Sequence, residues 1–309
     1  MGGVVTLSIE LELGWGMHDK AEYGHLSEDR TAETKALRRI LDLADHHDLP
    51  ITFDVVGHLL HESCTGSHTG PYPEDYWSED PGTDRETSPH FYAPDMVRKI
   101  RKRPTDHEFA THTYSHLLAD EASSAQLDNE LSKVQQVYSD FGIQKPTSIV
   151  MPRHQDPDYS VLIDHGITTI RQTIPDYEPS ISNPVSKLWW LLSRKHPSSS
   201  IFTEQNLVET TVTPHPSLTA VYLPSGRSQP HPVFAAIPRK VRQSLHQRYL
   251  INAIDRAVAG AHIHLWTHVY NLANDAQWVP IQKALSYLAQ KYKNGDVEIK
   301  RMTELKQEW

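Results

Sequence analysis

Two histidines four residues apart, in His112-Thr113-Tyr114-Ser115-His116, and two glutamates two residues apart, Glu10 and Glu12, carry the strongest chemical signal in this chain. Imidazoles at that spacing meet on one side of a helical turn, and a carboxylate from a distant segment completes three protein ligands for a divalent cation. Such a set leaves a position for water or substrate, as a hydrolytic metal requires. On an extended strand, Glu10 and Glu12 project from one face about 6 to 7 Å apart. Such a pair can divide labour, one carboxylate binding a metal while the other serves as general base, or it can be simply two solvated glutamates, the commoner state of charged residues. Spacing alone is weak support: 20 His in 309 residues give roughly one His-x3-His pair by chance, and the chain holds a second, His264 and His268.

The elements that position these groups follow from periodicity. From about Val4 to Leu13, Val5, Leu7, Ile9, Leu11 and Leu13 fall on one face and Thr6, Ser8, Glu10 and Glu12 on the other, the two-residue period of a strand. In an α/β barrel such a strand turns its apolar face to outer helices and its polar face into a functional lumen. A helix over Thr31 to His47 and a strand over Ile51 to Val56 precede an irregular segment, about Ser63 to Pro89, that contains Tyr72, Tyr76 and Trp77. A loop of that length reads as a lid or a cleft rim. Helices over Ala93 to Lys102 and Ser123 to Phe141, a strand over Thr147 to Met151, and a helix, turn and strand over Val161 to Arg171 continue the alternation. That alternation is the mark of parallel α/β architecture. The proline-rich stretch from Pro175 to Pro238 reads as loops and short strands capping one end of the barrel. A helix over Arg239 to Ala259, a strand over Ala261 to Trp266, a helix over Val279 to Lys293 and a strand over Val297 to Lys300 complete a single domain spanning 1–309. No repeat at periods of about 20 to 50 residues supports a solenoid.

Composition narrows the function. No stretch reaches the roughly 18 to 20 apolar residues of a membrane span, and the first residues lack the basic-then-apolar layout of an export signal. The single Cys64 excludes an internal disulfide and, with no export signal, leads us to expect a reducing, cytoplasmic compartment. Its neighbours Glu62 to Gly66 match no cysteine-nucleophile signature, so it reads as a small packed residue. A net charge of −9 argues against a nucleic-acid-binding face, and the basic run Arg98 to Arg103 reads as a solvated helix end.

Over His107-Glu108-Phe109-Ala110-Thr111-His112-Thr113-Tyr114-Ser115-His116 the chain resembles, nearly residue for residue, the second motif of the polysaccharide deacetylases, the NodB-homology family or carbohydrate esterase family 4. Ser8-Ile9-Glu10-Leu11-Glu12 is similar to their first motif, two acidic residues on the first strand, with glutamates where aspartates are commoner. Thr52-Phe53-Asp54 imitates that motif but lies on the second strand, where Ile51 to Gly57 is similar to an apolar family segment; Asp54 either lines the site or caps a loop. Val150-Met151-Pro152-Arg153-His154-Gln155 resembles the third motif, and His264-Leu265-Trp266-Thr267-His268 the last.

The resemblance implies a distorted (β/α) barrel and a metal-dependent hydrolase that removes the N-acetyl group of an amino sugar in a glycan or glycan precursor. It implies Glu12, His112 and His116 as ligands of a divalent cation, zinc by ligand type, with cobalt or nickel compatible. Glu10 becomes the general base, Arg153 the group that orients it, and His268, rather than His264, the donor to the leaving amine. Trp266 forms an apolar wall near the acyl methyl, and His154 and Tyr114 contact substrate. The alternatives are a hydrolase of small cyclic amides or ureides, such as allantoin, and a catalytically silent sugar-binding relative.

Overall fold

In the computed structural model, residues 2–174, 177, 184–204 and 207–308 are described. Among them, strands β1 (Val4–Leu11), β2 (Thr52–Val55), β3 (Glu108–Thr111), β4 (Ser148–Val150), β5 (Thr169–Thr173), β6 (Ile201–Glu204), β7 (Leu207–Val212) and β8 (His262–His268) join in the order β6-β7-β5-β4-β3-β2-β1-β8. All neighbours run parallel except β6 and β7. A short β9 (Glu298–Ile299) adds to the start of β1. The sheet curls into a nearly closed barrel: across the remaining gap, Thr210 Oγ1 of β7 lies 3.2 Å from His264 Nδ1 of β8.

Helices α1 (Thr31–His47), α2 (Pro94–Arg101), α3 (Ser124–Phe141), α4 (Tyr159–Asp164), α5 (Pro184–Ser193), α6 (Arg239–Val258) and α7 (Asp275–Lys293) are the crossovers. In α1, Ala36, Leu37, Ile40, Leu41 and Ala44 are buried, the stripe of a helix seated on a sheet. They pack in one core with Val5, Leu7, Ile9 and Leu11, the apolar face of β1. The other face, Thr6, Ser8 and Glu10, is also buried, because it fills the lumen beside Thr52, Asp54, Thr169 and Arg171. The barrel is therefore apolar outside its wall and polar within.

Two elements depart from the periodicity. α7 begins at Asp275 rather than Val279, capped by Asn274 Oδ1, which accepts from Ala276 N at 3.0 Å. Pro280 sits inside this helix and cannot donate to the carbonyl four residues back; Gln243 Nε2 donates to that Ala276 oxygen at 2.9 Å. The proline-rich stretch supplies more than a cap, since β7 within it is a barrel strand whose six residues are all buried. Positions 175, 176 and 178–183 lie outside the described residues.

Candidate active site

Parallel strands in register place three ionisable groups side by side. Glu10 on β1 is paired with Asp54 on β2 and with His268, the last residue of β8. Because β8 runs two residues past the expected Trp266, His268 stands level with Glu10, its Nε2 2.9 Å from Glu10 Oε2. Glu12 lies just past β1 at the head of a 3-10 turn, where its backbone leaves the extended region (φ −119°, ψ −31°). Gly16 of that turn makes room for it, since a Cβ there would overlap the Glu12 carboxyl carbon.

His112 and His116 follow β3 in an irregular loop, not in the helical turn that their spacing suggests. Thr113 and His116 are left-handed, at φ 60° and 63°, a region that costs non-glycine residues free energy unless the surroundings fix it. Glu130 of α3, fully buried, supplies that restraint. Its Oε2 accepts from the backbone N–H of Tyr114 and of Ser115, each at 2.7 Å. Its Oε1 accepts from Ser115 Oγ at 2.8 Å and Tyr72 OH at 2.6 Å. The loop thus turns both imidazoles to Glu12: Oε2 lies 3.4 Å from His112 Nε2 and 3.1 Å from His116 Nε2.

This donor set fits a cation. His112 Nδ1 donates to Val150 O at 2.8 Å, so the neutral ring carries its lone pair on Nε2, which has no hydrogen-bond partner among the described residues. A lone pair facing carboxylate oxygens is unfavourable unless a proton or a metal lies between them. Burial opposes protonation of His112, yet Glu12 and Glu10 raise its pKa. His116 is pulled the other way, down to about 4, chiefly by burial. The ring that stays neutral and the carboxylate it faces are the ligand forms a divalent ion takes.

Around Glu10 the charges are balanced. Burial alone raises its pKa, but His268 and Arg171 hold the carboxylate well below its usual range. His268 is driven the opposite way: burial lowers it, while Glu10 and Glu12 lift it to about 9. Its Nδ1 donates to Asn271 Oδ1 at 2.9 Å, which leaves Nε2 to carry a second proton toward Glu10. Asp54 titrates near 7, raised by burial and by Glu10 against the pull of Arg171.

Several expected residues stand elsewhere. Arg153 does not reach Glu10; left-handed at φ 53° and exposed, it donates to Asp19 Oδ1 at 2.6 Å. Arg171 of β5 occupies the expected place. Fully buried, it pairs with Glu10 Oε1 through one terminal nitrogen and, through the other, donates to Asp54 Oδ2 at 3.1 Å and Ser8 Oγ at 2.7 Å. Trp266, 3% exposed, lies beneath that guanidinium at 4.6 Å, with His154 at its edge at 5.0 Å. Tyr114 is buried toward the 61–93 loop, with its hydroxyl 2.9 Å from His61 Nε2 and its ring against His58 and Trp77. His264 is packed in the lumen between Ser8 and Thr210, and Asp54 lines the site rather than capping a loop.

Arg171 and Glu130 were missed, though each leaves a trace in the sequence. An arginine stands on the inward face of a short strand, and a glutamate stands among Leu127, Leu131 and Val134 on the buried face of a helix. A cleft of about 500 Å³, lined in part by His18, Asp19, Tyr76 and Glu79, adjoins His116. A larger one, about 630 Å³, opens by His107 and Arg301; it lies at the N-terminal ends of the strands, away from where barrel chemistry gathers.

Residues 25–170 match the polysaccharide deacetylase family model, a span that holds His112, His116 and Arg153 but not the glutamate pair, Arg171 or His268. No curated protein matches the sequence. Solved structures share the fold at low identity. A chain assigned as a polysaccharide deacetylase from Mycobacterium smegmatis is 14% identical with a TM-score of 0.63, covering 99% of this chain and 90% of that one. Another so assigned, from Pseudomonas aeruginosa, is 10% identical with a TM-score of 0.56 over 99% and 90%. The PuuE allantoinase is 12% identical with a TM-score of 0.53 over 99% and 89%.

Proposed function

We propose that this chain, whose residues 25–170 belong to the polysaccharide deacetylase family, is a metal-dependent amide hydrolase that removes the N-acetyl group of an amino sugar in a glycan or glycan precursor. The observation that carries this reading is the convergence of Glu12 Oε2, His112 Nε2 and His116 Nε2, with the His112 nitrogen lacking a hydrogen-bond partner among the described residues. Glu12, His112 and His116 would hold a divalent cation, for which their nitrogen and oxygen donors suit zinc, cobalt or nickel, and which would supply Lewis-acid polarisation of the amide carbonyl and of water.

The remaining chemistry belongs to the chain's own side chains. Glu10, kept ionised by His268 and Arg171, accepts the proton of the attacking water at Oε2. Arg171 on the other oxygen fixes the carboxylate by a charge-assisted contact. The water oxygen bonds to the acyl carbon, and the C–N bond breaks as His268 donates its Nε2 proton to the amine nitrogen. The products are acetate and a free amino sugar, and the proton taken by Glu10 returns to His268 across their 2.9 Å contact.

Near-complete burial of Glu10, Glu12, His112 and His116 favours, as a second reading, a small cyclic amide or ureide, the substrate type of an allantoinase. Metal analysis of the purified chain, acetate release from N-acetylglucosamine oligomers and hydrolysis of allantoin separate these readings from a silent sugar binder. Unchanged bound metal and unchanged hydrolysis in His112→Ala would overturn the mechanism.

A further inference from the structure

The loop between β2 and α2 carries a second cluster, remote in its chemistry from the first. His58, in a one-turn helix directly after β2, meets Cys64, His68 and Asp80, and one ligand atom from each lies within 4.8 Å of all the others. Asp80 Oδ2 is 2.6 Å from His68 Nε2 and 3.3 Å from His58 Nε2. Cys64 Sγ is 3.4 Å from His68 Nε2. From these contacts we infer that His58, Cys64, His68 and Asp80 form a closed, structural metal site for zinc or a similar thiolate-binding divalent ion, one that fastens the 61–93 loop to the barrel.

Three features separate this cluster from an ordinary hydrogen-bond network. The first is its burial: the side chains of His58 and Asp80 are fully covered, and that of His68 is 8% exposed. The second is its lack of internal satisfaction. Among the described residues neither ring nitrogen of His58 makes a hydrogen bond of good geometry; its Nε2 and that of His68 both turn to Asp80 Oδ2, at 3.3 and 2.6 Å. Buried polar groups are seldom left so unless something absent from the protein's own donors completes them. The third is the orientation of the ligands. Asp80 Oδ1 is occupied by Tyr92 OH at 2.8 Å and Gly82 N at 3.1 Å, which leaves Oδ2 to the cluster. Cys64 Sγ accepts from Gly66 N at 3.3 Å. Outer hydrogen bonds of this kind aim metal ligands.

The donor set decides the class of ion. One sulfur, two nitrogens and one carboxylate oxygen suit tetrahedral zinc, whose ligand atoms stand roughly 3.3 to 3.8 Å apart. The His58–Asp80 and Cys64–His68 separations already lie in that range, and the His68–Asp80 pair, at 2.6 Å, would have to widen by under about 1 Å to admit the ion. Four protein ligands leave no position for substrate, so the site is structural. It bears on the cleft nonetheless: His68 stacks on Trp77 at 4.0 Å, and the adjacent Tyr76 hydroxyl lies 2.7 Å from Ser115 Oγ, between the two histidines of the first cluster.

This inference stands independently of the proposed reaction and is tested without an activity assay. The full chain is loaded with cobalt, and its absorption and metal content are measured for the wild type, Glu12→Ala and Cys64→Ser. Only the loop cluster contains sulfur, so a near-ultraviolet thiolate-to-cobalt band reports it alone. The expected result is the band in the wild type and in Glu12→Ala, its loss in Cys64→Ser, and a Cys64→Ser chain that holds one equivalent of metal fewer. If Cys64→Ser fails to fold, His68→Gln serves instead, with a shifted or weakened band expected. A cobalt-loaded wild type without the band, or a metal content that neither loop variant changes, overturns the inference.

Discussion

The two histidine clusters use similar side chains to opposite ends. In the barrel, Glu12, His112 and His116 offer three ligand atoms, and beside them Glu10 and His268 face each other at 2.9 Å, the pair to which the proposed reaction gives the proton transfers. In the loop, His58, Cys64, His68 and Asp80 are four, and their neighbours Tyr92 and Gly82 only orient them. An open set with titratable neighbours suits catalysis, whereas a filled set with inert ones suits structure. The scaffold differs accordingly. In the barrel, backbone pairing fixes Glu10 and His268 in register, and Glu12 and His112 come directly after strands β1 and β3, while the loop cluster lies largely in a segment with little regular structure.

The sharpest way to break the comparison is to remove a ligand from each. His112→Ala is expected to reduce acetate release to background while leaving the thermal midpoint nearly unchanged. His68→Ala is expected to lower the thermal midpoint and retain measurable turnover. Equal loss of turnover in both would make the distinction between open and closed sites untenable. Next in size is Glu10→Gln, which keeps the ligand set and removes the base. A fall in kcat of about 10²- to 10⁴-fold with unchanged metal content is expected, and retained metal with unchanged kcat would place the base elsewhere.

Much of this was legible in the sequence. The two-residue alternation of β1 depends on local spacing alone and put Glu10 on the inward face, whereas the grouping of His112 and His116 with Glu12 came from the resemblance of their motifs to a family and not from spacing. Glu12 reached the site by a less regular route, through a turn that only Gly16 permits. What could not be read is what depends on parity across distant strands. Arg153 and Arg171 each lie near a strand end in sequence, and only the barrel's closure decides that Arg171 crosses the lumen to Glu10 while Arg153 faces Asp19. The same holds for Cys64, whose three partners are up to 16 residues away in a loop without periodicity.

A smaller effect is expected where the barrel cluster depends on its support. Glu130→Gln removes the charge that holds Tyr114 N and Ser115 N and lets the left-handed residues relax. Loss of orienting groups of this kind costs about 10- to 100-fold in metal affinity or activity, so a metal titration should weaken by that factor with the loop cluster's cobalt band unchanged. A change in the band as well would show that Tyr72 and Tyr76 couple the two clusters more tightly than their contacts suggest.

A further contrast is one of pH and separates the clusters by sign. His268 has a folded pKa raised from 6.5 to about 9 by Glu10 and Glu12 against the cost of burial. A raised histidine stabilises the fold fully below its unfolded pKa and loses that contribution as pH rises through the folded one. In the metal-free chain the stability gap between wild type and His268→Gln should therefore be greatest below about pH 6.5 and should shrink toward pH 9, by about 3 kcal/mol in all. Denaturant unfolding at a series of pH values measures it. The loop histidine His58 is shifted the other way, lowered by burial, so its protonation opposes folding as pH falls. With a cation on Glu12 the charge that raises His268 is shared, so the pH-dependent gap should narrow on metal loading. A gap that is independent of pH, with or without metal, would mean that His268 is not the charged partner of Glu10.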